Sequence, residues 1–288
     1  MKYLSFSRPD GLRSIGKLAD NSATLTPDST IIELLTEQNT QTDLKTVLST
    51  NSMSGLIEGL SWQISEITLL PPIPEPGKII CVGLNYASHI AETGRKKDAQ
   101  YPVIFTRFAD TLVAHGAPIL QPAQSTSLDY EGELALIIGK PGRNIPVAKA
   151  FEHIAGYSCF NDASVRDWQL HASQYTPGKN FPATGGFGPW MITADEINNL
   201  EEQHVCTKLN NNVVQDQPIS DLIFPIPVLI NYISSFTPLQ AGDVIVTGTP
   251  GGVGFTRKPP LWMVPGDSVE VSVGKIGTLI NPVQAADQ

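Results

Sequence analysis

Glu131 and Glu133 stand two apart in Asp129-Tyr-Glu-Gly-Glu-Leu-Ala-Leu-Ile-Ile-Gly139, and Asp162 follows in Asn-Asp-Ala-Ser-Val-Arg-Asp. From Leu134 onward the run is apolar and reads as a buried strand. Side chains two apart on a strand share a face, roughly 6.6 Å apart along it. Two carboxylates aimed together at the mouth of such a strand repel each other, and a cation removes the repulsion. Three carboxylate oxygens, with water completing the shell, suit a hard ion such as Mg2+ or Mn2+.

His89 and Glu92 are three apart in Asn85-Tyr-Ala-Ser-His-Ile-Ala-Glu-Thr-Gly94 and share a face on a helical turn. Glu92 can orient the imidazole, which can then take a proton from water. The segment reads as polar and exposed, bounded by Gly83 and Gly94, as a movable lid over residues 84–97 requires. Lys179, in Pro-Gly-Lys-Asn-Phe-Pro, can hold a carboxylate or an enolate oxygen if it lies near the cation. If residues 162–170 are a helix, Asp162, Arg166 and Gln169 line one face of it. Gly248-Thr-Pro-Gly-Gly-Val-Gly254 resembles a glycine loop, but Gly-Lys-Ser/Thr is missing and Phe255-Thr-Arg-Lys-Pro-Pro260 cannot open a phosphate-binding helix. A tight turn exposing Thr249 and several amides can still take a small carboxylate. No Gly-x-Ser-x-Gly elbow is present, which argues against a serine hydrolase.

The elements that must position these groups are short. Residues 2–7, 78–83, 103–106, 244–248 and 268–274 read as strands, with a last one after the turn at 274–277. Residues 29–37 read as a short helix behind Asp28, 146–154 and 227–236 as further helices, and 193–196 as a capping box. Residues 71–77, Pro-Pro-Ile-Pro-Glu-Pro-Gly, read as a stiff linker. They divide a small N-terminal α/β domain, 1–73, from a catalytic unit, 78–288. With 24 Gly and 23 Pro, the expected class is α+β, mainly β: a mixed β-roll or sandwich. A net charge of -9 argues against nucleic-acid or anionic-membrane partners. Cys81, Cys159 and Cys206 form no Cys-x-x-Cys pair, which excludes a thiolate zinc site and fits a reducing compartment. No apolar run approaches the roughly 18 residues of a membrane span, and the start lacks a signal core. The expectation is a soluble, cytoplasmic protein.

Taken in order, Val82-Gly-Leu-Asn-Tyr-Ala-Ser-His89-Ile-Ala-Glu92, Glu131-Gly-Glu133, Asn161-Asp162-Ala-Ser-Val-Arg166-Asp-Trp-Gln169, Lys179, Gly188-Pro-Trp190 and Thr247-Gly-Thr249-Pro-Gly-Gly-Val-Gly resemble the fumarylacetoacetate hydrolase family. The resemblance runs from about Lys78 to Val283. It implies a mixed β-roll catalytic domain, usually in a homodimer. It implies Mg2+ or Mn2+, or Ca2+ as in some members, on Glu131, Glu133 and Asp162, and 2-oxo acids or 1,3-diketones as substrates. Pro182 stands three after the lysine, where many members carry an acid, and Arg107 stands where lysine is common. A guanidinium offers a carboxylate a bidentate fork, which points to an acidic substrate.

The expected activity is hydrolysis of a C–C bond in an acylpyruvate or related 2,4-dioxo acid. His89, oriented by Glu92, would deprotonate the water, and Lys179 would stabilise the departing enolate. Arg107, Arg166, Gln169 and Thr249 would bind the substrate. The alternatives are decarboxylation of an oxaloacetate-like acid and isomerisation of an unsaturated 2-hydroxy diacid. A non-catalytic, metal-stabilised binding protein is the reading from another class.

Overall fold

A computed structural model of the protein describes residues 1–20, 22–94 and 100–287. Two sheets dominate it, one of 12 strands and one of five, with a two-stranded pair beside them. The large sheet runs in the order Ile57–Gln63, Thr30–Leu35, Arg13–Leu18, Lys2–Ser7, Gly185–Thr193, Ile154–Asp162, Gly132–Ile138, Val244–Val246, Ile79–Gly83, Val103–Arg107. The five-stranded sheet contains Asn212–Pro218, His204–Leu209, Ser268–Val273, Gly277–Ala285 and Ile119–Gln121. The mainly β architecture expected from the turn-rich composition is therefore present. The strands before residue 71 join the large sheet through the antiparallel pairing of Lys2–Ser7 with Gly185–Thr193.

The strand Gly132–Ile138 shows why its run is uninterruptedly apolar. Leu134, Leu136 and Ile138 enter one hydrophobic cluster and Ala135 and Ile137 another. A strand covered on both faces has no water-facing side on which a polar residue would be favoured. The first cluster also takes Val205, Val271 and Leu279 from the five-stranded sheet, with Leu229 and Ile233 of helix Ile226–Phe236. The second is closed by Leu44 and Val47 of helix Leu44–Ser49. With both faces packed, the ends of Gly132–Ile138 and Ile154–Asp162 are held firmly.

Several local expectations change. Residues 30–35 form a strand, not a helix, pairing antiparallel with Arg13–Leu18 and Ile57–Gln63. Ile31, Leu34 and Leu35 fit a helical stripe, but Thr30, Ile31 and Ile32 are β-branched, and two available neighbours decide the outcome. Asp162 ends a strand, and only Arg166–Gln169 are helical after it. Val147–His153 is a 3-10 helix, as is Ala194–Glu196, where Thr193 makes no side-chain cap. Helix Ala87–Thr93 ends at Gly94 with φ +68, the left-handed conformation that favours glycine. This segment is not the exposed flap expected: Asn85, Tyr86, His89 and Ile90 are buried. The Asn85 side chain donates to the Thr247 carbonyl at 2.8 Å and accepts from the Phe224 amide at 2.9 Å. Arg95, Lys96 and Lys97, the charged part of the expected lid, lie outside the described residues. Among the described residues, no helix is long and apolar enough to cross a membrane.

Candidate active site

Antiparallel register builds the carboxylate cluster. Gly132 pairs with Asn161, so the start of one strand meets the end of its neighbour. The Asp162 amide donates to the Glu131 carbonyl at 2.8 Å, and the Glu131 amide donates to Asn161 Oδ1 at 3.0 Å. Ligand atoms of Glu131, Glu133 and Asp162 then all lie within 4.8 Å of one another, with all three residues buried. Strand spacing anticipates that Glu131 and Glu133 face together, and the family resemblance adds Asp162 to them.

Three buried cations serve the same cluster. Lys179 Nζ lies 2.6 Å from Glu131 Oε2 and 2.5 Å from Asp162 Oδ2. Arg166 pairs through Nη1 with Glu131 Oε1 at 2.6 Å and through Nε with Asp129 Oδ2 at 2.8 Å. Arg107 pairs through Nε with Asp162 Oδ1. Glu133 is the exception: its Oε2 accepts from the Gly248 amide at 2.5 Å, and no cation among the described residues reaches it.

The electrostatics follow from that asymmetry. Burial alone would raise the Glu131 carboxyl, but the Arg166 and Lys179 charges outweigh it and hold the group at about 2. Burial, then the neighbouring Asp162 and Glu131 carboxylates, push Glu133 well above the usual carboxylate range. Burial opposes the Lys179 charge, but Asp162 and Glu131 more than offset it, so the ammonium stays protonated. Four buried acids, Asp129 included, face three buried cations, and the acid left over projects beside the other two acids of the triad. An all-oxygen, net-anionic cage fits a hard divalent cation.

One expected outcome tests that fit. The raised Glu133 pKa sets protons in competition with the cation at this carboxylate, so affinity for Mg2+ or Mn2+ should tighten as pH rises. Calorimetric titrations in buffers of different ionisation enthalpy should show net proton release on cation binding that diminishes as pH rises. A proton count of zero throughout would contradict the assignment of Glu133.

Glu131 and Glu133 face a cavity of about 310 Å³, while Asp162 lies fully buried behind its lining. His89, Glu92, Arg166, Gln169, Lys179 and Thr249 line it together with Glu131 and Glu133, while Phe105, Leu170, Tyr175 and Phe255 give it an apolar wall. His89 Nδ1 is 2.6 Å from Glu92 Oε1. The second oxygen of Glu92 accepts from the Gly252 amide at 2.7 Å and the Thr256 hydroxyl at 3.0 Å. Burial would raise the Glu92 carboxyl, but these hydrogen bonds and the imidazole bring it below its usual value. An ionised Glu92 accepts the Nδ1 proton and leaves Nε2 as the basic nitrogen.

The other expected site residues divide. Arg166 donates to Gln169 Oε1 at 2.9 Å, while its Nη2 is buried with no partner on the protein. That atom is a donor awaiting an acceptor. Thr249 lines the cavity, but its hydroxyl proton goes to the Gly132 carbonyl at 3.0 Å. Arg107 does not line the cavity. It sits behind Asp162, with its remaining donors on Thr184 Oγ1 and the Ala163 carbonyl, so it holds the Asp162 carboxylate in place and its fork is not open to substrate. Pro182 is exposed and outside the cavity lining, so the missing acid removes nothing from the pocket. Asp129 and Gln215 are buried partners that received no role from the sequence. Asp129 lies two before Glu131, a visible signal, whereas nothing local distinguishes Gln215 from other strand polar residues.

Comparison with known proteins adds four likenesses. Residues 78–284 match the model of the fumarylacetoacetate (FAA) hydrolase C-terminal family. The chain is 38% identical over 221 residues to "Oxaloacetate tautomerase FAHD2A, mitochondrial" of Bos taurus, covering 76% of this chain and 70% of that protein. It is 40% identical over 225 residues to "Oxaloacetate tautomerase YisK" of Bacillus subtilis (strain 168), covering 77% and 75%. The solved structure of 5-carboxymethyl-2-hydroxymuconate delta-isomerase from Mycobacterium smegmatis superposes with a TM-score of 0.80 at 32% identity, over 100% of both chains.

Proposed function

The chain belongs to the fumarylacetoacetate hydrolase family, and from that premise we propose that it is a divalent-cation-dependent tautomerase or isomerase of a 2-oxo diacid, with oxaloacetate the first candidate. This reading favours the isomerase alternative over the C–C hydrolase expected from the sequence, and extends it to tautomerisation, which the sequence alone does not name. The two relatives are named for oxaloacetate tautomerisation and the structural neighbour for a double-bond shift. Both reactions move a proton at a carbon activated by a carbonyl and pass through an enol or enolate. The observation that carries the reading is the placement of an oriented base, two carboxylates of the acidic triad and an unpartnered guanidinium nitrogen around one cavity, with the third carboxylate, Asp162, clustered behind them.

Glu131, Glu133 and Asp162 would hold Mg2+ or Mn2+, which supplies Lewis acidity toward the 2-oxo group and so acidifies the neighbouring C–H. His89 Nε2 takes the C3 proton of oxaloacetate as general base. Glu92 keeps the Nδ1 proton and its charge balances the imidazolium that forms. Lys179, a protonated ammonium in a low-dielectric pocket, stabilises the developing oxyanion. Arg166 Nη2, with the Gln169 amide beside it, takes a substrate carboxylate. Delivery of the proton to oxygen completes the exchange: one C–H bond breaks, one O–H bond forms, and nothing else leaves.

The test follows enol oxaloacetate by its ultraviolet absorbance with the Mg2+ and Mn2+ enzymes, with pyruvate measured in parallel and an acylpyruvate as second substrate. Faster equilibration of the two forms without pyruvate release is the expected result. Cleavage of the acylpyruvate with no effect on oxaloacetate would restore the hydrolytic reading.

A further inference from the structure

The glycine loop at 248–254 touches both halves of the site. Its Gly248 amide binds Glu133, while its Gly251 and Gly252 amides bind Ser88 Oγ at 3.1 Å and Glu92 Oε2 at 2.7 Å. The loop is seated on the strand Asn212–Pro218 of the small sheet. Gly252 has φ +107, and a Cβ there would stand 2.1 Å from the Val214 carbonyl oxygen. Beside Val214, the buried Gln215 side chain reaches three backbone segments or side chains at once. Its Nε2 donates to Thr249 Oγ1 and to the Pro250 carbonyl, both at 2.8 Å, and its Oε1 accepts from the Gly132 amide at 3.0 Å. Gly132 is the residue between the two glutamates, and a Cβ there would lie 2.0 Å from Thr207 Oγ1.

We propose that Gln215 is a positioning residue that fixes the Glu131–Glu133 peptide and the glycine loop to each other, and so sets the cation cage against the His89–Glu92 base. All of its polar capacity except one lone pair is committed to these contacts. No other side chain among the described residues bonds both Gly132 N and the 249–250 backbone or hydroxyl. The proposal rests on the reading of Glu131, Glu133 and Asp162 as a cation site. Gln215 touches neither substrate nor ion; it acts through the groups that do.

The test uses Q215M, which keeps the length and removes every hydrogen bond, and Q215E, which keeps the shape and the acceptor for the Gly132 amide but loses the Nε2 donor. Mn2+ affinity is measured calorimetrically without substrate, and kcat and KM are measured at saturating Mn2+. Outer partners of metal ligands typically change affinity about 10–100-fold. Q215M should fall in that range, with Q215E between it and the wild type. At saturating Mn2+, kcat of Q215M should stay several-fold low with KM little changed, because the base is then misaimed. Both variants folding with wild-type Mn2+ affinity and kcat would overturn the proposal. Failure of both to fold would assign Gln215 to stability alone and overturn it equally. A wild-type protein that binds no Mn2+ would remove the cation-site reading itself, a result distinct from equal affinities across the three proteins.

Discussion

Glu133→Gln is expected to cost about 10³-fold in turnover while leaving the metal-free protein as stable as before, or more so. The activity follows from losing a ligand to an ion whose Lewis acidity is worth several kcal/mol, at about 1.4 kcal/mol per factor of ten. The stability half follows from charge. Glu133 has no cation partner among the described residues, and burial with two neighbouring carboxylates raises its pKa. A carboxyl whose folded pKa lies above its unfolded value costs stability as pH rises beyond about 4.5, and an amide removes that cost.

Glu131→Gln should behave in the opposite way. Arg166 and Lys179 hold its carboxyl at about 2, so its ionisation stabilises the fold above about pH 4.5 and that contribution is lost as pH falls through 2. The amide would leave two buried cations short of a carboxylate, at a cost of about 3 to 5 kcal/mol. Thermal unfolding in chelator, beside Mn2+ titrations, separates the pair. A Glu133→Gln protein that binds Mn2+ normally, or melts as early as Glu131→Gln, would refute the charge assignment.

This asymmetry marks what the chain discloses by itself. That Glu131 and Glu133 face together follows from their spacing, and that Asp162 joins them follows from the antiparallel pairing of two apolar runs. Which of the three lacks a counter-charge depends on where Arg107, Arg166 and Lys179 fold, and no local pattern states that. Arg107 shows the point. Its residue type suggests a carboxylate partner, which is correct, but that partner is Asp162 and not a substrate. Residues 30–35 show the same limit at the level of the fold, since their apolar spacing fits helix or strand until neighbouring strands decide. Helix Ala87–Thr93 reads as exposed because its residues are polar, whereas in the fold Asn85 finds backbone partners and His89 finds Glu92. A polar residue is buried once it is paired, and pairing is tertiary information.

The second large effect distinguishes the reactions open to this cavity. His89→Ala should lower kcat for oxaloacetate tautomerisation by about 10²–10⁴, the usual worth of a positioned general base. It should leave Mn2+ affinity unchanged, because the imidazole pairs with Glu92 and not with the triad. Any decarboxylation of oxaloacetate by the same protein should survive far better, because carbon dioxide departs without a proton being removed from carbon. Lys179→Met should damage both, since both develop negative charge in the cavity that the ammonium lines and its removal unbalances Glu131 and Asp162. The cleanest readout is the ratio of the two rates in each variant, in weakly basic buffer, because solution bases also exchange the C3 proton. A high ratio in the wild type that collapses in His89→Ala, yet holds in Lys179→Met as both rates fall, identifies His89 as the base and Lys179 as the oxyanion partner. If His89→Ala leaves tautomerisation untouched, the proton moves elsewhere, and the hydrogen-bonded pair with Glu92 is a structural clasp on the helix.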